Sequence, residues 1–191
     1  HVFSKAAAAR RGRQLRAEYD AIGGHSPVHR RAREQAAARD GAREARAGGR
    51  LGVSRGVSMR YAEPQPADIC ESLEAKGVNR LVLLPLFPQY SAATTGTSLA
   101  HWSAHARRYG WSLPVTAVRE YAVEPKFVEG LAERLQQGLQ RFPREIRRDV
   151  QIVFVAGGPG LIDRQVDCDP YCCLVHRTAH QVLLSVGGDR A

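Results

Sequence analysis

From Leu51 onward, short apolar runs alternate with amphipathic ones, and that alternation constrains the fold more than any other feature. Arg80 to Leu86 carries four consecutive apolar residues, Leu81 to Leu84, and reads as a buried strand. Val150 to Ala156 is almost as apolar and reads as a second. Val53 to Tyr61 and Pro114 to Arg119 have strand-like composition. Between them, Pro66 to Lys76 places Ile69, Leu73 and Ala75 on one helical face and meets a stop at Gly77. Thr97 to Tyr109 reads as the next helix. Pro125 to Phe142 is the clearest amphipathic segment, with Phe127, Leu131, Leu135 and Leu139 at steps of four and Val128 and Ala132 beside them. A last helix begins with Asp169 as N-cap and Pro170 in its first turn, and ends at Gly187-Gly188. Strands alternating with helices in this order imply an α/β fold, a doubly wound parallel sheet with helices on both faces.

Ahead of this alternation the chain changes character. Ser4 to about Asp20 reads as a helix, Ile22 to Pro27 as a Gly-Gly and Ser-Pro loop, and Val28 to about Gly48 as a second helix with almost nothing apolar to bury. Arginines crowd this part, among them Arg10, Arg11, Arg13, Arg16, Arg30 and Arg31, and they supply much of the net charge of +9. A basic front suits an anionic surface or an acidic small molecule. Nucleic acid is not expected as a partner, because the basic stretch has no interleaved aromatics on which bases would stack. The chain of 191 residues suits one large domain or one and a half smaller ones. The boundary is placed at Phe142-Pro143-Arg144, giving 1–143 as a Rossmann-like lobe lacking its first strand and 144–191 as the start of a second lobe, with one compact unit as the alternative. No initiator Met is present, so the sequence reads as a fragment or a processed product. No run approaches the ~20 apolar residues of a membrane span, and no signal peptide is visible. Four cysteines without a secretory signal point to a reducing cytoplasm. Peripheral membrane contact through the basic front is the membrane association that this charge allows.

The segment after the Leu81–Leu84 run is the most telling chemically. Leu84-Pro85-Leu86-Phe87-Pro88-Gln89-Tyr90-Ser91-Ala92-Ala93-Thr94-Thr95-Gly96-Thr97-Ser98-Leu99 breaks at two prolines into a loop rich in hydroxyls and aromatics. Open α/β sheets place their ligand sites in such loops, at the carboxyl ends of strands. Thr94, Thr95 and Ser98 are expected to cap the following helix. This loop closely resembles one in ferrochelatases, which insert ferrous iron into protoporphyrin to make haem. Three further stretches resemble that family in the same order. These are Ala9-Arg10-Arg11 through Tyr19 and Ile22-Gly23-Gly24-His25-Ser26-Pro27, then Val57-Ser58-Met59-Arg60-Tyr61, and Asp167-Cys168-Asp169-Pro170-Tyr171 followed by Thr178-Ala179.

The resemblance implies a chelatase-like fold, here truncated at both ends, a lyase activity in haem biosynthesis, and ferrous iron and protoporphyrin IX as substrates with no resident cofactor. It implies porphyrin contacts at Arg11, Tyr19, Ser26, Arg60, Tyr61, Tyr90 and Ser91. Apolar walls with arginines and hydroxyls suit a flat apolar disc carrying two propionates, since the guanidinium fork meets a carboxylate with two bonds. The family's histidine, set in a Phe-Ser-Ala-His-Gly-x-Pro run, falls on Gly157 of Phe154-Val155-Ala156-Gly157-Gly158-Pro159, or on Gly158 with a one-residue offset. Glycine cannot take a proton, so no catalytic residue is assigned and the chain alone is expected to be inactive. A non-catalytic porphyrin- or haem-binding protein is the alternative, and a basic module for anionic surfaces a second.

Two sets of side chains have metal-ligating chemistry. Glu63 and Glu124 stand where the family pattern has histidines and could bind a metal. Cys172, His176 and His180 share a helical face, with Cys168 one turn earlier. Residues eight apart lie about 12 Å along a helix axis, so only neighbouring pairs could share an ion. No metal site is assigned.

Overall fold

A computed structural model describes residues 12, 15–47, 52–157 and 169–187. The chain divides into two compact units, His1–Met59 and Arg60–Ala191.

In the first unit, residues 15–20 are helical and end in a tight turn. The Gly24 amide donates to the Tyr19 carbonyl at 2.7 Å, and Gly23 and Gly24 take positive φ values of 103° and 84° that side chains rarely adopt. Helix α1, Val28–Ala47, follows. The Ser26 hydroxyl accepts from the Val28 amide at 3.3 Å, and Arg30 pairs with Glu34 one turn on at 2.6 Å. Arg11, most of the expected Ser4–Asp20 helix and Leu51 lie outside the described residues.

The second unit carries the α/β alternation. Helix α2, Pro66–Glu74, buries Pro66, Cys70 and Leu73. It closes at Gly77, whose φ of 69° lets the Val78 amide fold back onto the Leu73 carbonyl at 3.2 Å. Strand β1, Leu81–Leu83, then pairs in parallel with β2, Val115–Ala117, in the register Leu81–Val115, Val82–Thr116, Leu83–Ala117. The Leu81 amide bonds the Pro114 carbonyl and the Val118 amide bonds the Leu83 carbonyl, each at 2.9 Å, extending the ladder at both ends. Helix α3, Thr97–Arg108, connects the two strands, entered through a five-residue π-turn, Ala92–Gly96. Helices α4, Pro125–Leu139, and α5, Tyr171–Gly187, complete the unit, with a short 3-10 turn at Arg144–Ile146.

The expected mixed α/β fold with a parallel sheet is present. Among the described residues the sheet has two strands rather than four. Val53–Tyr61 and Val150–Ala156 run without a ladder, because a strand needs a neighbouring backbone to take its amides and carbonyls, whatever its side chains. Val153 is 79% and Val155 91% exposed in consequence.

The core sits between α4 and α5, where Val128 and Ala132 meet Val182 and Val186 with Leu135 and Leu139 packed around them. The buried stripe of α4 is therefore turned from the expected Phe127–Leu131 line: Leu131 is left exposed, and Phe127 goes edge-on to Tyr121 with ring centroids 5.6 Å apart. Among the described residues no helix is long and apolar enough to cross a membrane.

Candidate functional site

Because β1 and β2 are parallel, their carboxyl ends lie side by side, and the loops leaving them are tied together. The Pro88 carbonyl accepts from the Tyr121 amide at 2.9 Å. Gln89 Nε2 donates to the Thr178 hydroxyl at 2.9 Å, and that hydroxyl lies 2.8 Å from the Ala122 carbonyl and 2.9 Å from the Leu174 carbonyl. One buried threonine on α5 thus joins both loops. Arg119 lies with its guanidinium carbon 5.1 Å from the Tyr90 ring centroid and donates to the Tyr90 hydroxyl at 3.4 Å. Gly96 lets Tyr90 settle on the π-turn, since a Cβ there would stand 3.1 Å from the Tyr90 hydroxyl.

The start of α5 fixes the other side of this loop. Asp169 Oδ2 accepts from the Ser91 hydroxyl at 2.9 Å and from the Ala92 amide at 2.8 Å, while Oδ1 accepts from the Tyr171 amide at 3.0 Å. Burial opposes the charge, but the Ala92 and Tyr171 amides and the Ser91 hydroxyl outweigh it and hold the Asp169 pKa below 3.8. The carboxylate therefore caps α5, as expected from its sequence position, and also clamps the loop. Ser91 is buried, and its oxygen accepts from the Ala93 amide at 3.2 Å, so Ser91 caps the π-turn. The caps expected from Thr94 and Thr95 are not formed: both hydroxyls are buried without a partner, because helical winding starts earlier, at Ala92. Thr97 instead returns its hydroxyl to the Ala93 carbonyl at 2.8 Å. The Tyr171 hydroxyl donates to the Gly157 carbonyl at 3.0 Å, bringing the end of the 150–157 segment to the same place.

A second cluster gathers on the loop before α2 and on α3. Arg60 Nη1 lies 3.4 Å from His101 Nδ1, His101 Nε2 lies 3.0 Å from Gln65 Oε1, and the Arg60 guanidinium carbon is 4.7 Å from the Tyr61 ring centroid. His101 meets His105 edge-on with ring centroids 4.3 Å apart. Burial first, then His105 and the Arg60 cation, keep the His101 pKa below 6.5 and the ring neutral near pH 7.

The expected contact residues thus fall into separate groups. Arg11 lies outside the described residues. Tyr19 and Ser26 belong to the first unit, Tyr19 at a helix end and Ser26 at the start of α1. Arg60 with Tyr61, and Tyr90 with Ser91, belong to the second. Glu63 and Glu124 have local work: Glu63 Oε2 accepts from the Gln65 amide at 3.0 Å, and Glu124 Oε2 caps α4 through the Phe127 amide at 2.9 Å. Cys172 is exposed, while His176 and His180 line a shallow groove with Arg177, Gln181 and Val123. Among the described residues no group of three or more histidine, cysteine or acidic side chains is placed to hold a metal ion. Sequence reasoning did not single out Gln65, His101 or Arg119. The spacing of four between His101 and His105 was the available signal for one of them.

The ferrochelatase family model matches residues 1–190. A ferrochelatase from Geotalea daltonii is 32% identical over 180 residues, covering 93% of this chain and 53% of that protein. One from Citrifermentans bemidjiense is 32% identical over 133 residues, covering 69% of this chain and 40% of that protein. One from Teredinibacter turnerae reaches 42% over 83 residues, covering 44% of this chain and 23% of that protein. The chain spans about half the length, or less, of these curated relatives.

Proposed function

The chain belongs to the ferrochelatase family, and from that membership we propose that it forms a porphyrin-binding wall of a protein acting in haem biosynthesis, with protoporphyrin IX and ferrous iron as substrates. The observation that carries the reading is the clamp at the carboxyl end of the parallel sheet. There the loop after β1 is fixed through Ser91, Ala92 and Asp169 while Leu86 and Phe87 stay exposed. Exposed apolar side chains on an immobilised loop offer surface to a flat apolar ligand without a large ordering cost. Tyr90 and Arg119 add an aromatic face and a cation, and Arg60 with Tyr61 adds another such pair.

A second reading, porphyrin binding without turnover by residues 1–191, is favoured by Gly157. It stands where the family resemblance expects an imidazole, has no side chain to accept a pyrrole proton, and gives its carbonyl to Tyr171. Titrating residues 1–191 with protoporphyrin IX, followed by absorbance and fluorescence, tests the common part; an unchanged spectrum overturns both readings. An insertion assay with ferrous iron or zinc then separates them. The expected outcome is binding without insertion, and insertion at the rate of an intact relative would overturn the second reading.

A further inference from the structure

Thr178 ties α5 down near the middle of its length. Its hydroxyl takes a hydrogen bond from Gln89 Nε2 at 2.9 Å and lies 2.8 Å from the Ala122 carbonyl. Leu174 and Val182, one turn to either side, are buried as well. Positions two residues along stand about 200° round the helix from that buried line. His176 and His180 are accordingly exposed, on backbone that the buried threonine between them holds fixed. The contact with Ala122 also sets the next residue, Val123, beside them. With Arg177 and Gln181 these residues line a groove of about 530 Å³.

Residues four apart on a helix carry Cβ atoms about 5–6 Å apart. Two imidazoles at that spacing can each bring a nitrogen to about 2 Å from one ion. Imidazole suits zinc, copper and nickel, whereas magnesium and calcium prefer oxygen. Spacing alone does not make a chelate. His101 and His105 are also four apart, but His101 has neighbours at both ring nitrogens and His105 Nδ1 is taken up by the His101 carbonyl. Among the described residues no such bond engages His176 or His180, and both line one groove. Cys172, one turn before His176, is exposed but does not line it.

We propose that His176 and His180 form a two-imidazole chelate on α5 for a borderline divalent transition ion such as zinc. Water in the groove completes the coordination shell. Two protein ligands agree with the finding that, among the described residues, no group of three or more histidine, cysteine or acidic side chains is placed to hold an ion. The chelate is independent of the porphyrin reading and uses none of the residues on which that reading rests. Arg177 lines the same groove, and its cation opposes a metal ion but would attract an anion. Its removal therefore tells the two ligand classes apart.

Calorimetric titration of residues 1–191 with zinc, alongside ¹⁵N spectra of the imidazoles, tests the pair. Zinc below one equivalent should shift the His176 and His180 ring nitrogens together. His176→Gln and His180→Gln should each lose one equivalent of zinc. Both positions are exposed and glutamine favours helix, so the far-ultraviolet spectrum should not change. Cys172→Ser should keep that equivalent, and Arg177→Gln should hold it at least as tightly as wild type. Loss of the equivalent in Cys172→Ser with retention in His180→Gln would move the ion to Cys172 and His176 and overturn the proposal. Weaker zinc binding in Arg177→Gln would overturn it too, as would identical titrations of wild type and the two glutamine variants.

Discussion

Asp169 shows how much one side chain can carry. Its Oδ1 bond to Tyr171 spans two residues and is readable from Asp-Pro at a helix start; its Oδ2 bond to Ser91 spans 78 and is not. Asp169→Ala strands the Ala92 and Tyr171 amides and should cost about 2 kcal/mol, read as a lower urea midpoint. The pH dependence follows from the sign of the shift. The folded pKa lies below 3.8, so the charged form is the stabilised one. Its contribution is complete well above the unfolded value and disappears as pH falls through the folded one. The stability gap between wild type and Asp169→Asn should therefore hold from neutral pH to about pH 5 and close below about pH 4; a gap unchanged to pH 2 would refute the carboxylate's role. Cys70 is the other group whose environment sets its chemistry. Burial, then Glu74 and Glu71, push its thiol up to about 11, whereas Cys172 and Cys173 are exposed. Alkylation at neutral pH, mapped by mass spectrometry, should label Cys172 and Cys173 quickly and Cys70 only on unfolding. Rapid labelling of native Cys70 would contradict this burial.

At the scale of elements, helices were more fully readable than strands: Arg80–Leu86 and Pro114–Arg119 contain the strands Leu81–Leu83 and Val115–Ala117, whereas Val53–Tyr61 and Val150–Ala156 form no ladder. The expected Pro66–Lys76, Thr97–Tyr109 and Pro125–Phe142 helices appear as Pro66–Glu74, Thr97–Arg108 and Pro125–Leu139. A helix satisfies its own backbone, so local composition and caps largely decide it. A strand is completed by another strand, and Val150–Ala156 shows that an apolar run alone does not make one. Packing faces lie between these cases. The α4 sequence permits an inward stripe through Leu131 or through Ala132, and contact with α5 selects the second. Val182, 2% exposed, is the centre of that contact. Val182→Ala should cost about 2 kcal/mol through lost burial and the cavity left behind, measured by chemical denaturation. A change below about 0.5 kcal/mol would place the stabilising contact elsewhere.

For the whole molecule, the exposed apolar run at 153–155 is the feature with the largest consequence. A segment that presents Val153, Phe154 and Val155 to solvent, with no ladder partner among the described residues, offers apolar surface and free backbone for pairing with another chain. Residues 1–191 should associate and bind hydrophobic dyes, and replacing Val153 and Val155 together with lysine should raise the soluble fraction and reduce dye binding. No change in either would locate the association surface elsewhere. The sequence by itself determined the family, the α/β alternation and the helices, because these rest on local pattern and on residue order along the chain. Only the tertiary structure decided which strands pair, which stripe of α4 is buried, that Asp169 clamps the loop after β1, and that His101 stands against Arg60. Each of those joins groups distant in sequence, and such partners are chosen by packing and by the satisfaction of buried polar atoms, which no local pattern records.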